Sequence, residues 1–235
     1  MRDDVTKTES RTEAPGGFSL RFASGLEIAS VISSVLLTTW ALIPLQPQAR
    51  WLTALPSVLA VGLMLHSHRV RGERLGELGF ATRGFGRALA WVLPPTLIAC
   101  GLFAAIGWWA GSFHRTTNFY ANLLVVPVWA LVQQYVLQGF IYRRSREILG
   151  GGERAWPAML LAAGLFALVH APNGMLMILT FCGALIWTWV YERAPNLLAL
   201  ALSHAAISLM LMNALPAWLL ESMSVGYKHF LYRKF

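Results

Sequence analysis

Long apolar segments alternate with short polar ones along most of this chain. The apolar segments lie at about residues 27–45, 51–65, 88–110, 119–142, 156–170, 175–191 and 196–212. A helix needs about 20 mostly apolar residues to cross the hydrocarbon core of a membrane. The pattern therefore predicts an all-α, polytopic transmembrane helical bundle of seven spans, or of eight if a short span crosses near residues 215–223.

The two ends of the chain differ from this predicted bundle. Residues 1–23 mix basic and acidic side chains without an apolar run, and we expect a polar, disordered, cytoplasmic tail there. Residues 24–212 form the predicted transmembrane bundle, and residues 213–235 form an amphipathic C-terminal segment with basic residues at its end.

The composition favours a membrane location over nucleic-acid binding. Of the 235 residues, 56% are hydrophobic and only 13% are charged, whereas soluble domains have about 25% charged residues. A net charge of +8 would suit nucleic acid in a soluble protein. Here the basic residues lie between apolar segments, so we expect membrane lipids as the surroundings and no nucleic acid as a partner.

The basic residues also predict an orientation in the membrane. Most of the 19 lysines and arginines lie in alternate segments between the predicted spans. If the N-terminus is cytoplasmic, the loops on the far side carry only Arg50 and Arg115 ahead of the C-terminal segment. The positive-inside rule therefore predicts a cytoplasmic N-terminus, and we expect the bacterial inner membrane as the location.

Three predicted spans carry polar side chains that lipid disfavours. They are Gln133, Gln134 and Gln138 in the fourth span, His170 at the end of the fifth, and His204 and Ser208 in the seventh. Such residues usually face the interior of a helical bundle, because burial of a polar group in lipid is costly. We expect one polar site in which Gln134 and Gln138 face the two histidines. Hydrogen bonding between helices, without any chemistry, is the alternative for each residue taken alone.

These residues lie in motifs that resemble the signatures of a known family. Residues 133–144, QQYVLQGFIYRR, resemble the signature Glu-Glu-x-x-x-Arg-Gly of the CPBP family, which includes type II CAAX prenyl endopeptidases and bacteriocin-processing membrane proteins. Residues 166–170, FALVH, match a second signature, Phe-x-x-x-His. Residues 203–208, SHAAIS, are similar to a third, His-x-x-x-Asn or Asp. The resemblance covers about residues 75–212.

The resemblance implies an intramembrane endopeptidase and assigns a role to each motif. In the family, the first glutamate and the second-signature histidine activate a water, the arginine orders the acids, and the third-signature histidine and asparagine stabilise the oxyanion. Carried over, the catalytic positions are Gln133, Gln134, Gln138, His170, His204 and Ser208. Phe166 and Asn173, close to His170 in the sequence, are assigned to the binding of a peptide or lipidated protein substrate. No metal ion and no cofactor is expected.

Several positions depart from the family pattern. Glutamine replaces both glutamates and the arginine, and serine replaces the asparagine. Glutamine donates and accepts hydrogen bonds, but it does not take up a proton at any useful pH. Two functions therefore stay open, an endopeptidase with weakened activity and a catalytically silent protein that binds peptides or partner helices. A metal or proton path is disfavoured because the chain has no His-Glu-x-x-His motif.

Overall fold

The computed structural model describes residues 19–43, 51–116, 118–152 and 154–232, and no β-strand occurs among them. Helix α1 spans Leu20–Leu36 and continues as a π-helical turn, Leu37–Leu42; α2 spans Trp51–Val70 and α3 Phe85–Trp109. Helix α4 spans Phe119–Gln134, continues as a π-helical segment, Tyr135–Tyr142, and leads into α5, Arg143–Ile148. The remaining helices are α6 (Trp156–Leu168), α7 (Gly174–Arg193), α8 (Leu197–Ala214), α9 (Ala217–Leu220) and α10 (Tyr227–Tyr232).

Five helical segments are long and apolar enough to cross a membrane. Among the described residues these are Leu20–Leu42, Phe85–Trp109, Phe119–Ile148, Gly174–Arg193 and Leu197–Ala214. The other two predicted spans do not reach this standard: α6 has 13 residues, and α2 ends in a polar stretch that includes His66 and His68. The all-α membrane architecture is confirmed, whereas the count of seven or eight spans is not.

The helical bundle extends beyond the predicted boundaries at both ends. Helix α1 begins at Leu20, where the Ser19 hydroxyl accepts a hydrogen bond from the Phe22 amide, so part of the predicted tail 1–23 is helical. Residues 1–18 lie outside the described residues. Helix α8 continues to Ala214, past the predicted end of the bundle at residue 212. The C-terminal segment adds two short helices, α9 and α10.

Close packing of α8 against α3 and α4 forms the centre of the bundle, and α7 packs against α6. Gly107 of α3 permits one close approach, because a Cβ atom there would lie 2.6 Å from the carbonyl oxygen of Ala214. Asn196 caps α8, its side-chain oxygen accepting from the Ala199 amide at 3.0 Å. These contacts fix α8, which carries the third signature.

A buried ionic cluster joins α5 to α1 and to the end of α2. The side chain of Arg144 is fully buried, and its guanidinium lies 2.6 Å from a carboxylate oxygen of Glu73 and 2.9 Å from one of Glu147. It also lies 3.2 Å from Glu27 and donates to the Ser67 hydroxyl at 3.0 Å. The sequence pattern around Arg144 did not predict the burial of its side chain.

Glu73 is the most heavily bonded carboxylate of this cluster. Burial alone would raise its pKa, but hydrogen bonds from His68, Arg144 and Arg143 outweigh burial and hold the pKa of Glu73 well below its usual range. His68 Nδ1 lies 2.6 Å from Glu73 and its side chain is only 6% exposed. The three glutamates of this cluster, Glu27, Glu73 and Glu147, are therefore all paired with arginines, and Glu73 also contacts His68.

Candidate functional site

A cavity of about 480 Å³ lies between α3, α4, α7 and α8, beside the turn that follows α6. Its walls are mostly apolar, with contributions from side chains such as Leu102, Phe103 and Leu179. Four of the predicted catalytic residues line it, namely Gln133, His170, His204 and Ser208. Among the described residues that line the cavity there is no Asp, Glu, Lys or Arg. The structure thus brings the two motif histidines to one cavity.

His204 on α8 is held between a hydrogen bond and an aromatic ring. The amide nitrogen of Gln134 lies 3.3 Å from His204 Nδ1, and the Trp187 ring stacks on the imidazole with centroids 4.4 Å apart. An amide nitrogen can only donate, so His204 Nδ1 accepts this hydrogen bond. The proton of the neutral imidazole is therefore assigned to Nε2.

Two hydroxyl groups, those of Ser203 and Thr96, hold the Trp187 ring in place through a series of hydrogen bonds. The indole N–H of Trp187 donates to the Ser203 hydroxyl at 3.0 Å, and the Ser203 and Thr96 hydroxyl oxygens lie 2.6 Å apart. Thr96 donates to the carbonyl oxygen of Val92 at 2.7 Å, so Ser203 is the donor to Thr96. All three side chains are buried, and the indole therefore has a fixed position against His204. The sequence did not predict this series of hydrogen bonds, although Ser203 directly precedes His204.

His170 follows α6 and carries its proton on Nδ1, whereas His204 carries its proton on Nε2. Its Nδ1 lies 2.7 Å from the carbonyl oxygen of Phe166. Since a carbonyl oxygen only accepts, Nδ1 bears the proton and Nε2 holds the lone pair of the neutral ring. The Phe166 ring lies next to both imidazoles, with centroid distances of 4.9 Å to His170 and 6.2 Å to His204.

Several polar side-chain atoms at the cavity have no hydrogen-bond partner among the described residues. Neither His170 Nε2 nor His204 Nε2 has a hydrogen-bond partner among the described residues, and neither is a fully buried atom. Likewise, the side chains of Gln133 and Ser208 make no hydrogen bond within the described part of the chain. The site can therefore offer one imidazole donor, one imidazole acceptor, an amide and a hydroxyl to a ligand.

Gln134 and Gln138 support the site from behind the cavity wall. Both side chains are fully buried, and the Gln138 amide nitrogen donates to Gln134 Oε1 at 3.4 Å. Neither residue lines the cavity, and Gln134 contacts His204 from behind its wall. Gln133 lines the cavity instead. The α-helix gives way to the wider π-helical turn directly after Gln134, and helical spacing alone did not reveal this change of geometry.

Phe166 and Asn173, the two residues assigned to substrate binding, lie outside the cavity lining. Asn173 caps α7, where its Oδ1 accepts from the Leu176 amide at 3.0 Å, and its Nδ2 donates to the Leu220 carbonyl oxygen at 2.7 Å. Its side chain thereby ties the turn after His170 to the C-terminal segment. Direct contact of either residue with a substrate has no support in this geometry.

The C-terminal segment forms part of the cavity wall, which the sequence did not predict. Met223 and Val225 line the cavity together with Val35 of α1. The amide of Gly226 donates to the carbonyl oxygen of Ala171 at 2.8 Å. Segments from near both ends of the chain therefore meet beside the turn that carries His170.

Metal-ligand geometry is absent from the described part of the chain. No three His, Cys, Asp or Glu side chains cluster there as the ligands of an ion would. The functional groups around the cavity are neutral hydrogen-bonding groups on an apolar background, which suits a polar group carried by an apolar ligand.

The comparisons with known proteins give one match. Residues 115–210 match the family model described as type II CAAX prenyl endopeptidase Rce1-like. Neither the search of curated proteins nor the search of solved structures found a match to the chain. The matched residues include all three signatures and the four cavity residues Gln133, His170, His204 and Ser208. Together with the apolar helices, the match supports an integral membrane protein of the CAAX-protease type and the membership of this chain in the CPBP family.

Proposed function

We propose that this protein is an intramembrane endopeptidase homologue with weakened activity, acting on peptides or on lipid-proximal segments of proteins. The observation that carries the proposal is the position of His170 and His204, the two histidines of the family signatures, on one cavity. A further support is the family match, which covers both histidines.

The proposed mechanism divides the reaction between the two imidazoles. His170 has its lone pair on Nε2 and accepts a proton from the attacking water. His204 has its proton on Nε2 and donates a hydrogen bond to the carbonyl oxygen as negative charge develops there. The Gln133 amide, which also lines the cavity, is a second donor for that oxygen.

The weakness of the proposed activity follows from proton affinity. In the family signature a carboxylate assists the histidine as a base, and glutamine has no such proton affinity. General-base assistance is worth about 10²- to 10⁴-fold in rate. No carboxylate is found among the described residues that line the cavity, so His170 lacks a partner that would stabilise its protonated form.

A combined reversion tests the proposal. We expect higher cleavage of a prenylated CAAX peptide, measured in detergent or nanodiscs, when the family residues are restored together by Gln133→Glu, Gln134→Glu, Gln138→Arg and Ser208→Asn. Single reversions should raise it less, because a lone carboxyl group buried without its arginine stays protonated. The matched control adds His170→Ala to the reverted chain and should abolish the gain.

Two outcomes would contradict the proposed weak endopeptidase. Robust cleavage by the unmodified chain that is lost in His170→Ala would show that glutamine suffices and that the assignment of a missing base is wrong. Unchanged behaviour of the fourfold revertant would favour the second candidate function, a catalytically silent protein that binds peptides or partner helices. The cavity without a carboxylate is the observation that favours this second function.

A further inference from the structure

We infer that the outer surface between α3 and α7 binds the headgroup of an anionic phospholipid, at the end of the bundle where α3 begins and α7 ends. This α3–α7 surface consists of Arg87 and Trp91 on α3 and of Trp189 and Arg193 on α7. None of the four residues lines the cavity. The inference therefore does not rest on the proposed function.

Helices α3 and α7 run antiparallel, and two tryptophans meet between them. Asn196, which follows α7, donates to the carbonyl oxygens of Ala81 at 2.6 Å and of Arg83 at 3.4 Å, just ahead of α3. The start of α3 therefore lies beside the end of α7. The rings of Trp91 and Trp189 pack edge to face, with their centroids 5.2 Å apart.

Two arginines lie one helical turn beyond this aromatic pair. Arg87 precedes Trp91 by four residues, and Arg193 follows Trp189 by four, so each arginine shares a helix face with its tryptophan. Because the helices are antiparallel, both steps lead towards the same end of the bundle. The α3–α7 surface thus presents two exposed arginines at neighbouring positions next to a pair of indoles.

Neither of these guanidinium groups is paired with an acid in the described part of the chain. The Arg193 guanidinium lies 4.0 Å from the centroid of the Trp189 ring and donates to the Trp189 carbonyl oxygen at 3.1 Å. Its other N–H donors, and the side-chain donors of Arg87, have no partner among the described residues. Glu192, next to Arg193 in the chain, accepts from the Tyr142 hydroxyl instead. Two neighbouring cations without a counter-ion favour the binding of an anion.

A phospholipid headgroup matches this surface in charge and in depth. Tryptophans collect at the level of the headgroups, so Trp91 and Trp189 mark that level. Arginine binds a phosphate through two parallel hydrogen bonds, and basic surfaces between transmembrane helices bind anionic headgroups. Further from the arginines α3 is apolar towards lipid, since Ile98, two turns beyond Trp91, is 73% exposed. Acyl chains therefore have an apolar surface beside the headgroup.

Brominated phospholipids test the inference, because bromine on the acyl chains quenches the fluorescence of tryptophans that the lipid contacts. Trp91 and Trp189 are both exposed to such a lipid. The full chain in detergent is titrated with brominated phosphatidylglycerol, which is anionic, and with brominated phosphatidylcholine, which has no net charge. One arginine near an anionic surface contributes about 5-fold in affinity, so two should favour phosphatidylglycerol by at least about 10-fold. Equal affinities for the two lipids would overturn the inference.

Substitution of the two arginines assigns the preference to the α3–α7 surface. In Arg87→Gln/Arg193→Gln the preference should fall below about 3-fold, while the affinity for phosphatidylcholine stays unchanged and shows that the lipid-facing surface is intact. Arg87→Lys/Arg193→Lys should show an intermediate preference, because lysine keeps the charge and loses the paired hydrogen bonds. The matched control is Arg69→Gln, since Arg69 is exposed at the end of α2, which packs against α1. A preference that survives in the double glutamine variant, or that the control loses equally, would overturn the inference.

Thermal unfolding gives a second readout that needs neither fluorescence nor turnover. A ligand that binds only the folded chain raises Tm, so phosphatidylglycerol should raise Tm more than phosphatidylcholine does in the wild type and in Arg69→Gln. In Arg87→Gln/Arg193→Gln the two lipids should act equally. Displacement of the lipid by inorganic phosphate, but not by sodium chloride of equal ionic strength, would indicate a site for free phosphate and overturn the inference. A chain that prefers phosphatidylglycerol and cleaves no peptide would refute the proposed activity alone.

Discussion

Replacement of the buried Arg144 by methionine should destabilise the fold, and the loss of stability can be bounded from the ion pairs that remain. The variant would leave Glu27, Glu73 and Glu147 close together without their shared cation, although their side chains are only 16%, 10% and 24% exposed. Loss of one partner from a buried ion pair costs about 3–5 kcal/mol. Two other arginines still contact these acids, Arg143 at Glu73 (2.6 Å) and Arg71 at Glu27 (2.9 Å).

The remaining ion pairs favour the lower end of that range, about 3 kcal/mol. For a chain of this size 1 kcal/mol shifts the melting temperature by about 2–4 °C, so Arg144→Met should lower Tm by about 6–12 °C. Thermal unfolding in detergent, followed by far-ultraviolet circular dichroism, measures the shift. The matched control is Arg74→Met, since Arg74 is exposed in the turn after α2 and should change the free energy of unfolding by less than about 0.5 kcal/mol. A Tm for Arg144→Met close to that of the control would refute the reasoning.

Three further predictions concern pH, packing and topology. The pKa of Glu73 is lower in the folded protein than in the unfolded chain. The ionised Glu73 carboxylate therefore stabilises the fold fully above the unfolded pKa of about 4.3, and this stabilisation is lost as pH falls towards the folded pKa. Tm should fall less between pH 5 and pH 3 in Glu73→Gln than in the wild type, and equal falls in Tm for the two proteins would contradict this. Gly107→Ala should cost about 1–3 kcal/mol because its methyl group would collide with the Ala214 carbonyl, whereas the control Gly101→Ala has free space and should be neutral or stabilising. A reporter inserted at 150–152 should indicate the cytoplasm if the N-terminus is cytoplasmic, and a periplasmic signal would reverse the proposed orientation.

The sequence was informative where local pattern determines structure. Apolar segments of sufficient length predicted the five long helices, because helix length is set by the thickness of the membrane. Polar residues on three predicted spans predicted one shared site, and His170 and His204 do line the same cavity. Their catalytic roles stay predictions.

The sequence was uninformative where distant residues or fine helical geometry decide the outcome. Arg144 and Glu73 are 71 residues apart, so nothing in the local pattern around Arg144 indicated a buried ion pair. A π-helical turn begins directly after Gln134, and hydrophobic periodicity does not distinguish such a turn from an α-helix. The hydroxyl chain that holds Trp187 is formed by residues of three different helices and could not be predicted from spacing.

The participation of the C-terminal segment in the cavity wall has a practical consequence for protein engineering. Met223 and Val225 border the cavity, and Gly226 is bonded to the turn beside His170. A Cβ atom on Gly226 would lie 2.6 Å from the carbonyl oxygen of Thr39, so this segment packs closely against the π-helical turn that follows α1. A fusion that displaces residues 223–226 would therefore disturb the cavity wall, and removal of these residues would open one side of the cavity.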